Sequence, residues 1–196
     1  WGTVYQEAQA WLEQGIMDML CPMMYFKDDH FFPFAADWQE QNHGRTIAPG
    51  LGIYFLHPKE KDWPLDVIQR QLAFMRSERL QGQAYFRTLH LTDNTKGLYD
   101  YLQGEFYPYP AMLPPMTWQD SMPPQRPELL DRKRVKGIME EVSWKAQQDN
   151  GSYCRYAVYA SQERPVDVND ARNLLTVTTE TTYTYNLLNA TLYGMH

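Results

Sequence analysis

Cysteine and basic residues are scarce in this 196-residue sequence, and each shortage excludes a class of protein. The two cysteines, Cys21 and Cys154, fall in segments of different character, so a disulfide framework is not indicated and buried free thiols are expected. Lys and Arg number 18 against 24 Asp and Glu, which gives a formal net charge of −6. Such a chain lacks the cationic surface that neutralises a phosphate backbone, and we expect no nucleic-acid partner.

Long apolar runs and the motifs of cofactor sites are also missing. The sequence contains neither a segment long and apolar enough to span a bilayer nor the pattern of a signal peptide. The histidines are scattered, and Asp28, Asp29 and His30 lack the spacing of a zinc site. A phosphate-binding loop and a G-x-S-x-G motif are absent, and "PGLG" lacks the dinucleotide pattern. We therefore expect neither a metal nor another cofactor.

Helical and strand patterns alternate three times in the first half of the chain. Hydrophobic residues make up 43% of the sequence, enough for a substantial core. Helical periodicity covers 3–15, 35–42 and 62–75, and each of these segments precedes an apolar run, at 16–24, 45–55 and 82–91. The run at 16–24 is apolar on both faces, which is typical of a strand covered on both sides of a parallel sheet. The alternation predicts a parallel α/β architecture.

The composition changes near Tyr107, where "YPYPAMLPPMTWQDSMPPQRP" concentrates proline. Proline fits neither a helix interior nor a central strand, so we place a domain boundary between 1–113 and 114–196. Beyond it, "IMEEVSW", "SYCRYAVYAS" and "TVTTETTYTYNL" predict short β-strands. Glu140 shares the face of Val142 and Trp144, which indicates that this strand begins later than Ile138. The second half is predicted to be all-β.

The first half resembles a known family. The succession "WLEQGIMDMLCPMMYF", "IAPGLGIY", "RQLAFMRSERLQGQAYFR" and "PAMLPPMTW" is similar to the last three β/α units of the glycosyl hydrolase-like proteins formerly grouped as a domain of unknown function. Members of this family include a bacterial enzyme that cleaves peptidoglycan strands stripped of their peptides. The resemblance implies the C-terminal part of a (β/α)8 barrel, in a protein that is secreted or held in the bacterial envelope. Because such a barrel takes about 250 residues, we expect about five further barrel strands of the same protein before Trp1. These strands are the expected partners of the three strands in this chain.

The second half resembles a fibronectin type III domain. Trp144 and the "YAVY" of Tyr156 to Tyr159 are similar to the second and third strands of that sandwich, and Tyr193 is similar to the tyrosine that opens a later strand. The sandwich takes about 100 residues, so we expect 114–196 to stop inside the penultimate strand. The expected fold is thus α/β plus all-β: three β/α units of a barrel, followed by an incomplete sandwich.

In a (β/α)8 barrel the active site lies at the C-terminal ends of the strands. An apolar strand that ends in aromatic and charged residues is therefore expected to emerge into the cleft, where aromatic side chains stack on sugar faces. The alternative for each aromatic residue is that it only fills the top of the core. The candidate substrate-binding residues are Tyr25, Lys27, Trp38, Tyr54, Tyr85, Phe86 and Arg87.

Glycoside hydrolysis needs two carboxyl groups about 5 to 10 Å apart. Asp28 and Asp29 follow a strand end closely and are the candidate catalytic acids, although a loop "KDD" also fits a solvated turn. The resemblance implies that the catalytic pair lies on an earlier strand. We thus expect a fragment of a glycoside hydrolase-like protein that acts on bacterial cell-wall glycan or a related polysaccharide and contributes cleft residues. The alternative is a non-catalytic carbohydrate-binding or scaffold module with a degenerate barrel.

Overall fold

Parallel strand pairs organise the first part of the chain and antiparallel pairs the second. The computed structural model describes residues 6–146 and 154–186. The chain divides into a first unit, Trp1–Phe106 with Pro114–Ser121, and a second unit, Tyr107–Leu113 with Met122–His196. Tyr193, which the sequence analysis likens to the tyrosine of a later strand, lies outside the described residues.

The first unit alternates short strands with helices. Its helices are α1 (Ala8–Glu13), α2 (Phe32–Glu40), α3 (Leu65–Ser77), α4 (Leu89–Thr92) and α5 (Leu98–Tyr101), and its strands are β1 (Met19–Leu20), β2 (Thr46–Ile47), β3 (Gly50–Leu51) and β4 (Ala84–Tyr85). Short 3-10 turns at Asp28–His30, Ile53–Leu56 and Thr95–Gly97 and a π-helical turn at Leu102–Phe106 complete it. Among the described helices, none is long and apolar enough to cross a membrane.

Three chain segments run side by side in one direction in the first unit. β1 pairs in parallel with β2, and β3 pairs in parallel with β4. A parallel bridge between Met23 and Gly50 extends the first pairing as far as β3. The hydrogen bond from the Phe86 amide to the Leu51 carbonyl, 3.0 Å, extends the second pairing. The carboxyl ends of the three segments therefore meet at one edge.

The segment around β1 is more exposed than its apolar sequence predicts. Ile16, Met19 and Met23 are 62%, 50% and 74% exposed, whereas Met24 is buried. The expectation that 16–24 is covered on both faces is therefore wrong for the described part of the chain. The physical reason lies in the alternation of the strand: Leu20 and Met24 pack with the hydrophobic core, whereas Met19, Cys21 and Met23 point to the opposite face, which the described residues leave exposed.

Helix α3 supplies much of the core behind the sheet. Pro64 precedes it and Asp66 lies in its first turn, where a carboxylate interacts favourably with the helix dipole. Ile68, Leu72 and Met75 are fully buried against the strands, as their helical spacing predicts.

The second unit contains two antiparallel sheets. Its strands are β5 (Leu129–Lys136), β6 (Met139–Trp144), β7 (Tyr156–Tyr159), β8 (Leu174–Thr178) and β9 (Thr182–Asn186). One sheet has the order β5-β6-β9 and the other pairs β7 with β8. Buried side chains of both sheets form a common core: Val142, Trp144, Tyr156, Val158, Ala160 and Tyr185.

Two details of the second unit bear on the sequence predictions. Strand β6 begins at Met139, later than Ile138 as expected, and Glu140 on its core-facing side accepts a hydrogen bond from the Tyr185 hydroxyl at 2.7 Å. Burial and this hydrogen bond raise the pKa of Tyr185 to about 12. Both cysteines are free, but Cys21 is exposed and Cys154 is half-buried, so the expectation of buried thiols is wrong.

Candidate functional site

Three aromatic rings meet at the edge where the parallel segments end. Tyr25 follows the first segment, Tyr54 the second and Phe86 the third. The ring of Tyr25 stacks on that of Phe86, with centroids 5.6 Å apart and planes inclined by 19°. The ring of Tyr54 meets both edge-on, at 5.8 Å from Tyr25 and 5.7 Å from Phe86. Burial and the neighbouring Tyr54 raise the pKa of Tyr25 above its ordinary value.

Two glycines make room for the Tyr25 ring. A Cβ atom at Gly52 would lie 3.0 Å from the Cβ of Tyr25 and 3.1 Å from a ring carbon of Phe55. A Cβ atom at Gly50 would lie 3.3 Å from a ring carbon of Tyr25. Both glycines are therefore explained by the close packing of Tyr25 against the backbone.

Beside this cluster lies an open cleft with a volume of about 510 Å³. One wall is the loop that follows β1, and the opposite wall belongs to the loop that precedes α3. Its lining residues are Tyr25, Phe26, Lys27, Asp28, Asp29, His30, Lys61 and Trp63. Phe26 is 52% exposed, so its ring offers a face to a ligand. The volume falls in the range of about 300 to 1,000 Å³ that is usual for small-molecule sites.

Helix α3 holds the loop after β1 in place. The side-chain amide of Gln71, which is fully buried, donates to the Phe26 carbonyl at 2.8 Å. Arg70 pairs with Asp28 at 3.0 Å and also approaches Asp66, at 3.5 Å. The loop is thus tied to the helix by a buried hydrogen bond and by an exposed ion pair.

The second wall carries cationic and aromatic side chains. The amide of Trp63 donates to the Phe55 carbonyl at 2.8 Å, which folds this loop back onto the end of the second segment. The ammonium group of Lys61 lies 3.7 Å from the centroid of the Phe55 ring, and that of Lys27 lies 5.5 Å from the centroid of Trp63. These are cation–π contacts, so the cleft combines cations with aromatic surface.

The two candidate acids differ in their surroundings. The carboxylate of Asp28 is engaged by Arg70, whereas Asp29 makes no ion pair within the ranges that the structure describes. Asp28 has a φ of 48°, a left-handed backbone conformation that Asp tolerates better than most residues. No cluster of three or more His, Cys, Asp or Glu side chains is placed to hold a metal ion in the part of the chain that the structure describes.

Of the residues predicted from sequence, Tyr25, Lys27, Asp28 and Asp29 line the cleft, and Tyr54 and Phe86 contact Tyr25. The other three lie elsewhere. Trp38 on α2 and Tyr85 on β4 pack against the hydrophobic core, as Tyr25 and Tyr54 also do, but neither Trp38 nor Tyr85 is in the lining of the cleft. Arg87 lies close enough to His90 to lower its pKa, and the Arg87 carbonyl accepts the His90 amide at 3.1 Å.

Four lining residues were not among the predicted site residues: Phe26, His30, Lys61 and Trp63. Phe26 had a usable signal, because it comes directly after Tyr25 at a strand end. Lys61 and Trp63 lie well beyond the second strand, and their place in the cleft depends on the return of the loop onto Phe55. Their sequence positions carry no sign of that path.

Comparison with known proteins gives one distant relative. Glycosyl hydrolase YngK of Bacillus subtilis (strain 168) is 22% identical over 170 residues, which cover 81% of this chain and 33% of that protein. This chain is similar to a glycosyl hydrolase. It spans about a third of the length of that relative. No protein-family model matches the chain, and no solved structure matches it. The likeness supports a glycosyl hydrolase-like relationship and leaves the substrate open.

Proposed function

We propose that this chain forms a wall of the substrate cleft in a glycosyl hydrolase-like protein that acts on bacterial cell-wall glycan or a related polysaccharide. The observation that carries the proposal is the aromatic cluster of Tyr25, Tyr54 and Phe86 beside an open cleft of about 510 Å³. Aromatic faces bind the apolar faces of sugar rings, and Phe86 is 49% exposed. The distant likeness to a glycosyl hydrolase supports the glycosyl hydrolase-like part of this proposal.

The proposal includes the architecture expected from sequence. We assign the first unit to the last three β/α units of a (β/α)8 barrel. Two observations support this assignment: three parallel segments have helices between them, and candidate site residues cluster at the carboxyl ends of these segments. The sheet orders β5-β6-β9 and β7-β8 support a fibronectin type III-like sandwich in the second unit. We also propose a secreted or envelope location, which rests on the family resemblance alone.

A non-catalytic carbohydrate-binding or scaffold module is the second candidate function. The observation that favours it is the ion pair between Asp28 and Arg70, which leaves Asp29 as the one unpaired carboxylate among the described residues of the cleft. A glycosidase needs two carboxyl groups in separate roles. On the first proposal the catalytic pair belongs to another part of the protein, and on the second such a pair does not exist.

The test measures both glycan cleavage and glycan binding by the full-length protein that contains this chain. Glycan strands stripped of peptides and a panel of β-linked polysaccharides serve as substrates, with Asp28→Asn, Asp29→Asn and Phe26→Ala as variants. Phe34→Ala is the matched control, because Phe34 is 55% exposed on α2 and outside the cleft lining within the described residues.

Four outcomes separate the candidates. Cleavage that survives both Asp substitutions and weakens in Phe26→Ala alone supports a substrate wall. Loss of cleavage in a folded Asp29→Asn variant assigns the chemistry to this chain. Binding without cleavage supports the module. Neither binding nor cleavage of any glycan contradicts both candidate functions.

A further inference from the structure

Lys96, in the 3-10 turn Thr95–Gly97, donates hydrogen bonds to the loop that forms the second wall of the cleft. Its Nζ atom lies 2.9 Å from the Trp63 carbonyl oxygen, and 3.3 Å and 2.5 Å from the carbonyl oxygen and a carboxylate oxygen of Asp62. A lysine ammonium group has three N–H donors, so these three acceptors use its full capacity. Lys96 itself is not in the lining of the cleft, so it acts on the wall and not on a ligand.

The two backbone carbonyls that Lys96 contacts have no other main-chain donor. The amide of Trp63 donates to the Phe55 carbonyl at 2.8 Å, but within residues 6–146 and 154–186 no backbone amide donates to the carbonyl of Asp62 or of Trp63. Pro64, which follows directly, has no N–H group. The hydrogen bond to the Trp63 carbonyl is partly buried, and a carbonyl left without a donor there is unfavourable. The wall therefore depends on the side chain of Lys96.

Both residues that form the ion pair have a left-handed backbone. Lys96 has a φ of 54° and Asp62 a φ of 49°. Asp tolerates this conformation better than most residues, whereas it is unfavourable for Lys. Gly97, the next residue, has a φ of 78°, which glycine adopts freely. The turn thus has a lysine where its backbone favours glycine, and the contacts of the ammonium group compensate for the unfavourable conformation.

Trp63 is the lining residue that most depends on this wall. Its ring packs on that of Phe55, with centroids 4.7 Å apart. The Nζ atom of Lys61 lies 5.8 Å from the Trp63 ring centroid, and that of Lys27, from the opposite wall, lies 5.5 Å from it. A shift of the Trp63 backbone therefore changes the lining on both sides of the cleft.

We propose that Lys96 is a positioning residue, which holds the Asp62 and Trp63 carbonyls and so keeps the second wall in the conformation that binds glycan. This inference rests on the proposed function and adds to it a residue outside the lining. If the wall is in place in only a fraction of the molecules, the apparent dissociation constant rises in inverse proportion to that fraction.

The carbonyl contacts of Lys96 matter more than its ion pair. The side chain of Asp62 is 63% exposed, and exposed ion pairs contribute little to stability. The Asp62→Asn variant removes the charge but keeps both carbonyls and one side-chain acceptor. We therefore expect its effect on the wall to be small.

The test uses the full-length protein that contains this chain, with Lys96→Met as the main variant. Met keeps an unbranched side chain and removes all three donors, whereas Lys96→Arg restores a cationic donor. Lys59→Met is the matched control, because Lys59 is exposed in the same loop as Trp63 and is outside the lining of the cleft as far as the chain is described.

Two quantities are measured for each variant. Hydrogen exchange, followed by mass spectrometry, compares the second wall (57–63) with the first wall (26–31). Affinity is measured for soluble glycan strands stripped of peptides, as the dissociation constant if the protein does not cleave them and as KM, separated from kcat, if it does.

Lys96→Met should speed exchange in 57–63 but not in 26–31, and it should weaken glycan binding about tenfold, as expected for loss of a hydrogen bond from a charged donor. Lys96→Arg should recover most of both effects, and Lys59→Met and Asp62→Asn should bind glycan almost as the native protein does.

Three results overturn the inference and leave the proposed function intact, provided that the native protein binds the strands. They are unchanged exchange in 57–63, equally faster exchange in both walls, and a loosened second wall with unchanged affinity. Absence of glycan binding by the native protein contradicts the proposed function, and the inference fails with it.

Discussion

The ring of Tyr25 lies stacked on the ring of Phe86, with 5.6 Å between their centroids. The two residues follow the first and third of three parallel segments, so they meet only because the sheet brings the ends of those segments to one edge. The Tyr25 ring also rests against the backbone at Gly50 and Gly52 of the middle segment. The fold of the first unit and the shape of its candidate site therefore depend on the same contact.

Substitution of Gly52 by Ala should destabilise the first unit. The added methyl group would lie 3.0 Å from the Tyr25 Cβ atom and 3.1 Å from the Phe55 ring, and forced overpacking of this kind typically costs about 1 to 3 kcal/mol. Urea unfolding measures the change. Gly104→Ala is the control, because a Cβ atom there meets nothing within 4 Å. Equal unfolding midpoints for Gly52→Ala and the native chain would contradict the packing described for Tyr25.

Substitution of Gln71 by Leu should loosen the cleft loop. The change leaves the Phe26 carbonyl without its 2.8 Å donor, at a typical cost of about 1 to 3 kcal/mol for a buried unsatisfied group. Loss of the Gln71 Oε1 atom, which is buried and makes no hydrogen bond to another described residue, offsets part of that cost. We expect faster hydrogen exchange at the amides of His30 and Phe31, which close the turns of this loop.

The Arg70→Gln variant provides the comparison for Gln71. The substitution breaks the ion pair between Arg70 and Asp28. Both side chains are about half exposed, and exposed pairs of this kind contribute about 0 to 1 kcal/mol to stability. Its effect on loop exchange should be smaller than that of Gln71→Leu. The reverse order would show that the ion pair, and not the buried hydrogen bond, holds the loop.

The free energy of unfolding should decrease as the pH is lowered, because of His90. Burial first, and then Arg87 and His57, lower the pKa of His90 below its ordinary value of 6.5, against the opposing effect of Asp93 and Glu60. The unfolded chain therefore takes up a proton before the folded chain does. The stability contributed by neutral His90 is complete above pH 6.5 and is lost as the pH falls from there through the lowered pKa of the folded state.

Urea unfolding at about pH 7.5 and about pH 5.5 measures this dependence. The difference in unfolding free energy between the two pH values should be smaller in His90→Gln than in the native chain. Because other titratable groups are unchanged, the comparison isolates His90. An identical difference in both chains would show that His90 does not titrate differently on folding.

Asp18 should anchor the segment 114–121. Its carboxylate accepts hydrogen bonds from the Trp118 indole at 2.7 Å and from the Gln119 amide at 2.8 Å, and the Arg45 guanidinium lies 4.9 Å from the Trp118 ring centroid. Asp18→Ala should speed hydrogen exchange at the Gln119 and Asp120 amides, which both donate to Met116. Asp18→Asn should have a smaller effect, since one acceptor oxygen remains. Unchanged exchange in Asp18→Ala would contradict this role.

The order of elements was more predictable than their extents. Hydrophobic periodicity located α3 and its buried stripe, because apolar side chains at helical spacing lie on one face of a helix and that face packs against the core. The apolar run at 16–24 predicted a strand correctly but not its exposure, which depends on what covers the face opposite the core, and periodicity does not report this. Strand β5 was missed because "LLDRKRVK" is largely charged, and all eight of its side chains are exposed.

The candidate site was predicted where chemistry follows directly on a strand. Tyr25, Lys27, Asp28 and Asp29 come within a few residues of the strand end, and they line the cleft at that end, where the rule for parallel sheets leads one to look. The same rule does not resolve alternation within a strand, and Tyr85 packs on the core while its neighbour Phe86 contacts Tyr25. The position of Lys61 in the cleft could not be predicted from the sequence, because it depends on the path of its loop in the folded chain.

Binding of cell-wall glycan at the aromatic cluster can be measured by a nuclear magnetic resonance titration of this chain with soluble glycan strands stripped of peptides. We expect saturable shifts of the ring resonances of Tyr25, Phe26 and Phe86, with those of Phe34 unmoved. Shifts that map to Phe34, or the absence of saturable shifts at Tyr25, Phe26 and Phe86, would show that the glycan does not bind at the cluster.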